Sequence, residues 1–519
     1  MNQNKKEDKM LSLFKKLTSV SVMTAALLFS VSVYAKDRMY ETDVVVVGVG
    51  GAGVAAAVSA AQSGAKVIAL EKQEMPGGSS NFAEGLFAVG TPEQKRLYVD
   101  VTAEEAFKHA MDFNHRFRIN EKLLRFSLKE STKTIEWLKE QGVEFDVFRV
   151  SPEEPQVWHL VRSKGNLEHG AALIHTMVTR ANELGVKIMY GTPGHKLIYD
   201  GKKVKGIEAV DPKGNKVIIK AKAVIIATGG FPNSEEKIAE WTKFDPAKVK
   251  AALPLGKTGD GISMAMEVGA DAGGFGLMLT PGILGPGMAP FGPIFALSWE
   301  PGLWVNKYGE RFTDETVIHN FSLAGNVVEG QRDSFVWSII DEDAVTRAEK
   351  EGVVTGAGVL TPVGTKLSNI RAELQTALDA GNQEIAIADT VEELAVKINV
   401  EPKRLKKTID DFNYYKEHNF DEEFARDPNS MPYVRKGKFY AFRMKTYHFV
   451  SYGGIKVNND MQATDKQDKP IEGLYVTGMD VGGLHGDTYT LWTSGAAYSF
   501  AATSGRIAGA KAAEYSKMK

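Results

Sequence analysis

The chain predicts an α/β fold: a βαβ nucleotide-binding unit comes first, a long insertion interrupts it, and the unit resumes near the C-terminus. Three observations carry this expectation. Asp43-Val-Val-Val-Val47 suits a strand buried on both faces, and Gly48-Val-Gly50-Gly51-Ala52-Gly53 then turns into an alanine-rich helix reaching about residue 63. A second buried strand, 66–70, ends at the acid Glu71. Much later Gly473-Leu-Tyr-Val-Thr-Gly478 reads as a further short strand, after a stretch from about Leu277 in which Pro281, Pro286, Pro290, Pro293 and Pro301 break any regular pattern.

Each part of the first unit has a chemical use. Glycine at 48, 50 and 53, with the small Ala52 among them, lets backbone amides and the helix N-terminus approach a pyrophosphate. Glu71 can accept hydrogen bonds from an adenosine ribose. The strand before the turn, the helix after it and the acid closing the second strand complete the dinucleotide context. A dinucleotide is therefore expected here. The run Gly77-Gly78-Ser79-Ser80-Asn81-Phe82-Ala83-Glu84-Gly85 follows at once, and its small residues (Gly78, Ser79, Ser80, Gly85) suit a loop lying along the cofactor.

Further along, 103–142 carries one apolar stripe of helical period, and 173–185 reads as another helix. Short strands are expected at 186–189, 206–210 and 217–219, and a separate buried strand at 222–227. Mixed helix and strand then run to about Tyr447, and the chain finishes in a helix over 494–515 whose N-terminus can face a cofactor. The expected divisions are 1–35, 40–276, an α+β cap over 277–447, and 448–519.

Several blocks in order resemble the flavoprotein subunits of the fumarate reductase and succinate dehydrogenase superfamily. They are the glycine turn, Thr258-Gly-Asp260-Gly261, Val305-Asn-Lys-Tyr-Gly309-Glu-Arg311-Phe312-Thr-Asp-Glu315, Gly453-Gly454, Gly473 to Asp480, and Gly482-Gly-Leu-His485-Gly486. The resemblance runs from Asp43 to the C-terminus. It implies a Rossmann-like FAD-binding domain with an inserted capping domain, and FAD held without a covalent bond. It also implies Asp260 in the cofactor site, Asp480 on a ribityl hydroxyl and His485 against the flavin ring. Arg311 would stabilise charge and deliver a proton after hydride transfer, facing Tyr489 across a pocket between the domains.

The chain also departs from that family. Dicarboxylate reductases have His-Pro-Thr where it reads Leu279-Thr280-Pro281-Gly282, and His-Thr-x-Gly-Gly where it reads Val450-Ser451-Tyr452-Gly453-Gly454. Their carboxylate-clamping arginine is replaced by Tyr489. A phenol cannot reproduce a bidentate, charge-assisted pair with a carboxylate. A less charged substrate than fumarate is expected, and Trp492 and the apolar run 291–299 suit one.

Composition narrows the setting. A net charge of −2 in 519 residues gives no basic footprint for nucleic acid. Lysines at 5, 6, 9, 15 and 16 precede an apolar run ending Val33-Tyr34-Ala35, the pattern of a cleaved signal peptide, so a periplasmic protein with no stable membrane span in the mature chain is expected. The absence of cysteine removes C-x-x-C-H haem attachment, iron–sulfur clusters and cysteinyl flavin, and the ten histidines show no metal-ligand spacing. Electrons should then pass through a separate partner, a cytochrome or other carrier. The expected activity is FAD-dependent chemistry at CH–CH groups, reducing an activated C=C such as an enone or unsaturated acid derivative. A desaturase resembling the ketosteroid dehydrogenases, and a flavin-loaded electron carrier, remain as alternatives.

Overall fold

The computed structural model describes residues 37–150, 154–358 and 360–518. The signal-peptide expectation falls on 1–35 and lies outside them. Three sheets organise these residues. The largest, of eight strands, runs in the order Gln462–Thr464, Pro470–Val476, Lys216–Ile226, Arg38–Val47, Val67–Leu70, Lys187–Met189, with Val204–Val210 and Gly194–Tyr199 attached beside Lys216–Ile226. Its central pairings are parallel: Val44 is opposite Val67 on one side and Ala223 on the other, and Leu474 is opposite Val224. Val44, Val45 and Val46 are wholly buried, as a valine run between two parallel neighbours should be.

Helix Gly51–Gln62 covers this sheet, and the terminal helix Ala496–Met518 packs against it. The two backbones approach so closely that a Cβ on Gly505 would lie 2.2 Å from Ala52 O, and one on Gly509 2.3 Å from Ala56 O. Glycine at these points permits the contact.

The second sheet has six strands built around the seventeen-residue Phe439–Ile455. Its strands alternate between two separate cores, Trp304, Val336, Ile340, Tyr440, Phe442 and Met444 facing one, and Leu303, Val305, Trp337, Ile339 and Ala441 the other. Period-two alternation with both faces apolar marks a sheet covered on both sides. A third, three-stranded sheet joins Gly85–Phe87, Trp158–Val161 and Phe145–Phe148.

Two expectations about elements need correction. The stripe over 103–142 is two helices, Ala103–Phe113 and Glu121–Glu140. His115, Arg116 and Arg118 take positive φ between them, and Asn120 starts the second helix by accepting from Leu123 N at 3.1 Å. The strands expected at 217–219 and 222–227 are one, Lys216–Ile226, because the same segment pairs with Val204–Val210 at its start and with Pro470–Val476 at its end. The second sheet's two longest strands, Ala272–Gly282 and Phe439–Ile455, pair antiparallel from Gly282↔Lys445 to Ala272↔Ile455. They form a ribbon that runs through residues 276 and 447, where the sequence suggests divisions.

Candidate active site

Two cavities meet at this ribbon. The first, of about 310 Å³, runs from Glu71, Thr192 and Gly194 past the glycine turn to Phe449, Val450 and Tyr498. Of the residues expected at a cofactor, Gly48, Gly50, Ala52, Glu71, Gly78, Ser79, Ser80 and Asp260 line it. The helix beginning at Gly51 has no acidic residue in its first turn and its N-cap, Gly50, supplies no side-chain acceptor, so the amides after Gly51 are left for an anionic ligand. Gly51 N donates to Ser80 Oγ at 3.1 Å. Glu71 accepts from Val49 N at 2.9 Å and Gln73 N at 2.8 Å, which fixes its carboxylate beside the turn. Burial raises the Glu71 pKa while those amides pull it back. Lys72 reaches Asp260 at 2.8 Å. A cavity lined by an uncharged glycine turn at a helix N-terminus and by a fixed acid beside it fits FAD.

Gly53 does not line the cavity: a Cβ there would lie 1.9 Å from Gly48 O, so this glycine serves the helix–strand contact. Asp480 is a clearer correction. It is fully buried and its carboxylate is used by protein donors: Gly229 N at 3.0 Å, Gly230 N at 2.9 Å, and the Thr228 amide and hydroxyl. It lines neither cavity, and it shapes the 228–230 loop that does. His485 also lines neither. Its ring packs 5.2 Å from Tyr452 and 5.0 Å from Tyr489, and burial holds its pKa down at about 4.

The second cavity, of about 330 Å³, shares seven lining residues with the first, among them Phe82, Met278, Phe449, Val450 and Tyr498. Its other walls are aromatic: Trp158, Phe291, Phe295, Trp299, Phe321 and Tyr489. Phe291 lies 5.4 Å from Phe449, and Trp299 6.1 Å from Phe321. Gly85 and Thr280 also line it, but no arginine or lysine does among the described residues. Trp492, expected here, stacks on His109 at 4.7 Å instead.

Tyr489 stands where the terminal helix begins. Its hydroxyl accepts from Ala497 N at 3.4 Å, and although burial pushes its pKa up to about 12, the amides of Gly495 to Ala497 favour the ionised form. Glu84, the acid within the small-residue run, faces the same cavity, and burial pushes its carboxyl up to about 8. His319 lines the cavity from an exposed position.

Arg311 is not in this site, and the expectation that it faces Tyr489 is overturned. It bonds Glu315 through Nε at 2.8 Å and Nη2 at 3.0 Å, and Asp421 through Nη1 at 2.8 Å. Glu315 is shared with Arg426 at 2.8 Å, and the Arg311 guanidinium lies 5.2 Å from the Phe412 ring and 5.0 Å from the Phe424 ring. Burial opposes the cation, yet the two carboxylates raise its pKa above the ordinary arginine value. The glycine-containing block is a tight turn, bridged between Val305 and Arg311, that aims the arginine into the cap. A dry guanidinium held by three bonds to two carboxylates, and lining neither cavity, is not placed to protonate a substrate there.

Residues that the motifs do not reveal include Lys257, whose Nζ contacts Ser79 Oγ and Phe449 O, and the ring wall. Lys257 adjoins the Thr258-Gly-Asp260 block, and that adjacency is its one signal in the sequence. The wall comes from scattered segments and has none. Among the described residues no cluster of acids and histidines could hold a metal, and no helix is long and apolar enough to cross a membrane.

The chain is 35% identical over 483 residues to a vinyl phenol reductase of Lactiplantibacillus plantarum, covering 91% of this chain and 96% of that protein. It is 27% identical over 494 residues to a fumarate reductase (cytochrome) of Shewanella frigidimarina, covering 92% and 77%. The open conformation of a flavocytochrome c3 fumarate reductase superposes with a TM-score of 0.70 at 26% identity, over 96% of this chain and 81% of that one. Residues 43–489 match the model of the FAD binding domain. The chain thus belongs to the FAD binding domain family, among the fumarate reductase-like flavoproteins, and is an FAD-dependent oxidoreductase acting at carbon–carbon bonds.

Proposed function

We propose that the protein reduces the vinyl double bond of a neutral aromatic alkene, a hydroxystyrene of the vinyl phenol type, rather than a dicarboxylate. The observation that carries this reading is the ring-walled cavity of about 330 Å³ without a lysine or arginine among its described lining residues. A dianion entering it would lose its hydration with no cation to replace it, whereas a flat aromatic ring gains contacts on both faces. The likeness to a vinyl phenol reductase supports the same substrate class.

FAD, when bound and reduced, supplies the hydride. Tyr489 supplies the proton to the other alkene carbon, and the amides of Gly495 to Ala497 support the charge left on its oxygen. Alkene, hydride and proton then sum to the saturated ethyl group. Glu84 stays largely protonated at neutral pH, and so adds little negative charge beside a phenol oxygen and can hydrogen-bond to it.

The FAD is held without a covalent bond, a reading supported by the lack of histidine and cysteine among the described lining residues of the first cavity. Acid precipitation should release the yellow colour. Electrons come from a separate carrier, and the enzyme works outside the cytoplasm after loss of residues 1–35; intact mass on native protein tests the cleavage. The decisive experiment mixes anaerobically reduced holoenzyme with 4-vinylphenol, an enone and fumarate while following flavin absorbance. Reoxidation by 4-vinylphenol and not by fumarate is expected. Fast reoxidation by fumarate alone would overturn the reading. So would reduction of the oxidised enzyme by a saturated ketone, which marks a desaturase.

A further inference from the structure

Lys257 extends past Gly229, where an added Cβ would lie 3.2 Å from Lys257 Cδ, into the wall of the FAD cavity. Its Nζ contacts Ser79 Oγ and lies 3.3 Å from Phe449 O. Phe449 lines both cavities. The ammonium therefore lies against Phe449, where the first cavity borders the second, and against the Ser79 loop, whose Gly77 and Ser80 neighbours touch the glycine turn. A redox-active ring able to reach a substrate in the second cavity would lie at that border.

No carboxylate lies within ion-pair distance of this ammonium among the described residues. Asp480, the acid that acts on it electrostatically, already accepts from three amides and a hydroxyl. Lys72, the other lysine of the cavity, is neutralised by Asp260 at 2.8 Å. The nearby His448 is buried, has no partner on either ring nitrogen, and is held neutral with a pKa of about 4 by burial and by Lys257. Burial lowers the Lys257 pKa to about 8 and Asp480 opposes this from beyond ion-pair distance. The ammonium has no direct counter-ion among the described residues, an arrangement that costs stability unless a ligand supplies the opposite charge.

We propose that Lys257 is the counter-charge of the reduced flavin. The bound ring gains negative charge when two electrons and one proton are taken up, and a fixed ammonium beside it favours that form over the neutral oxidised one. Lys257 thereby raises the two-electron reduction potential of the bound cofactor. This goes beyond the choice of substrate and holds whichever alkene is used.

The test uses FAD-loaded wild type, K257Q and K257R. Glutamine retains donors for Ser79 and Phe449 without the charge; arginine retains the charge. The reduction equilibrium is measured by dye equilibration. In parallel, sulfite is titrated into the oxidised protein, where it forms an anionic flavin adduct without turnover or a redox partner. In K257Q the reduction equilibrium should fall at least tenfold, about 30 mV for a two-electron couple, and sulfite should bind at least tenfold more weakly. K257R should stay within threefold of wild type in both. A K257Q protein within twofold of wild type in both measurements overturns the proposal, as does a K257R protein that behaves like K257Q. Should K257Q fail to hold FAD, wild type still decides, because a midpoint no higher than that of free FAD also overturns it. Failure of the vinyl phenol reading would appear only in the alkene panel and would leave these numbers unmoved.

Discussion

Two buried cations, Arg311 and Lys257, show what separates a structural charge from one available to chemistry. Arg311 sits in the motif that invites a catalytic reading, yet it is ion-paired to Glu315 and Asp421 and two aromatic rings cover it. Lys257 sits beside a motif rather than in it, bonds only to neutral oxygens, and opens on the FAD cavity. Burial is common to both. Direct ion pairing distinguishes them, and the cation without it lines the cavity assigned to the cofactor.

The largest effect that bears on this contrast is kinetic. Tyr489→Phe should lower alkene turnover by about 10²–10⁴-fold, the usual worth of a positioned proton donor, while the protein keeps its FAD spectrum; rapid-reaction traces of flavin reoxidation check this. Arg311→Ala should instead destabilise the cap by about 3–5 kcal/mol, because it leaves the buried Asp421 without its ion pair and Glu315 with Arg426 alone. The fraction that remains folded at low temperature should turn over near the wild-type rate. An Arg311→Ala protein with unchanged thermal stability and no turnover would reverse the assignment.

A smaller effect concerns pH. Burial lowers the pKa values of His159, His448 and His485 to about 4 from the ordinary 6.5. The unfolded chain therefore binds protons that the folded chain refuses. Stability should be lost as pH falls from about 6.5 toward 4, with the unfolding temperature lower at pH 5 than at pH 7. His159→Gln should flatten that slope by up to one proton. The smallest effect is expected at the surface, where Thr102→Ala removes the capping box with Glu105 and should cost about 0.5–2 kcal/mol in thermal unfolding, with the flavin site unaffected.

The parts legible in the sequence are those in which backbone carries the function. Gly48, Gly50 and Glu71 are set by a strand, a turn and a second strand close together in the chain, so local pattern is enough to find the cavity that they line. Asp480 and Arg311 carry the opposite lesson. Each lies in a recognisable block, but what its side group meets is decided by residues far away: Thr228 to Gly230 for one, Asp421 for the other. The wall formed by Trp158, Phe295, Phe321 and Tyr489 is legible only in its apolar character, because no local spacing links residues drawn from four separate segments. The break at 114–120 leaves no mark in the periodicity for a related reason, since the apolar stripe continues across it.

The order of strands in the large sheet also bears on how the molecule is made. Pro470–Val476 must pair with Lys216–Ile226, and Ser59 must reach Arg506 O across 447 residues, before the nucleotide sheet and its covering helices are complete. The two cores of the second sheet draw on residues between Ile283 and Met444 and need nothing beyond them. During synthesis from the N-terminus, the insertion can therefore consolidate while the flanking halves still wait for each other. The cofactor cradle, first in the sequence, is then the last part of the protein to become able to hold its ligand.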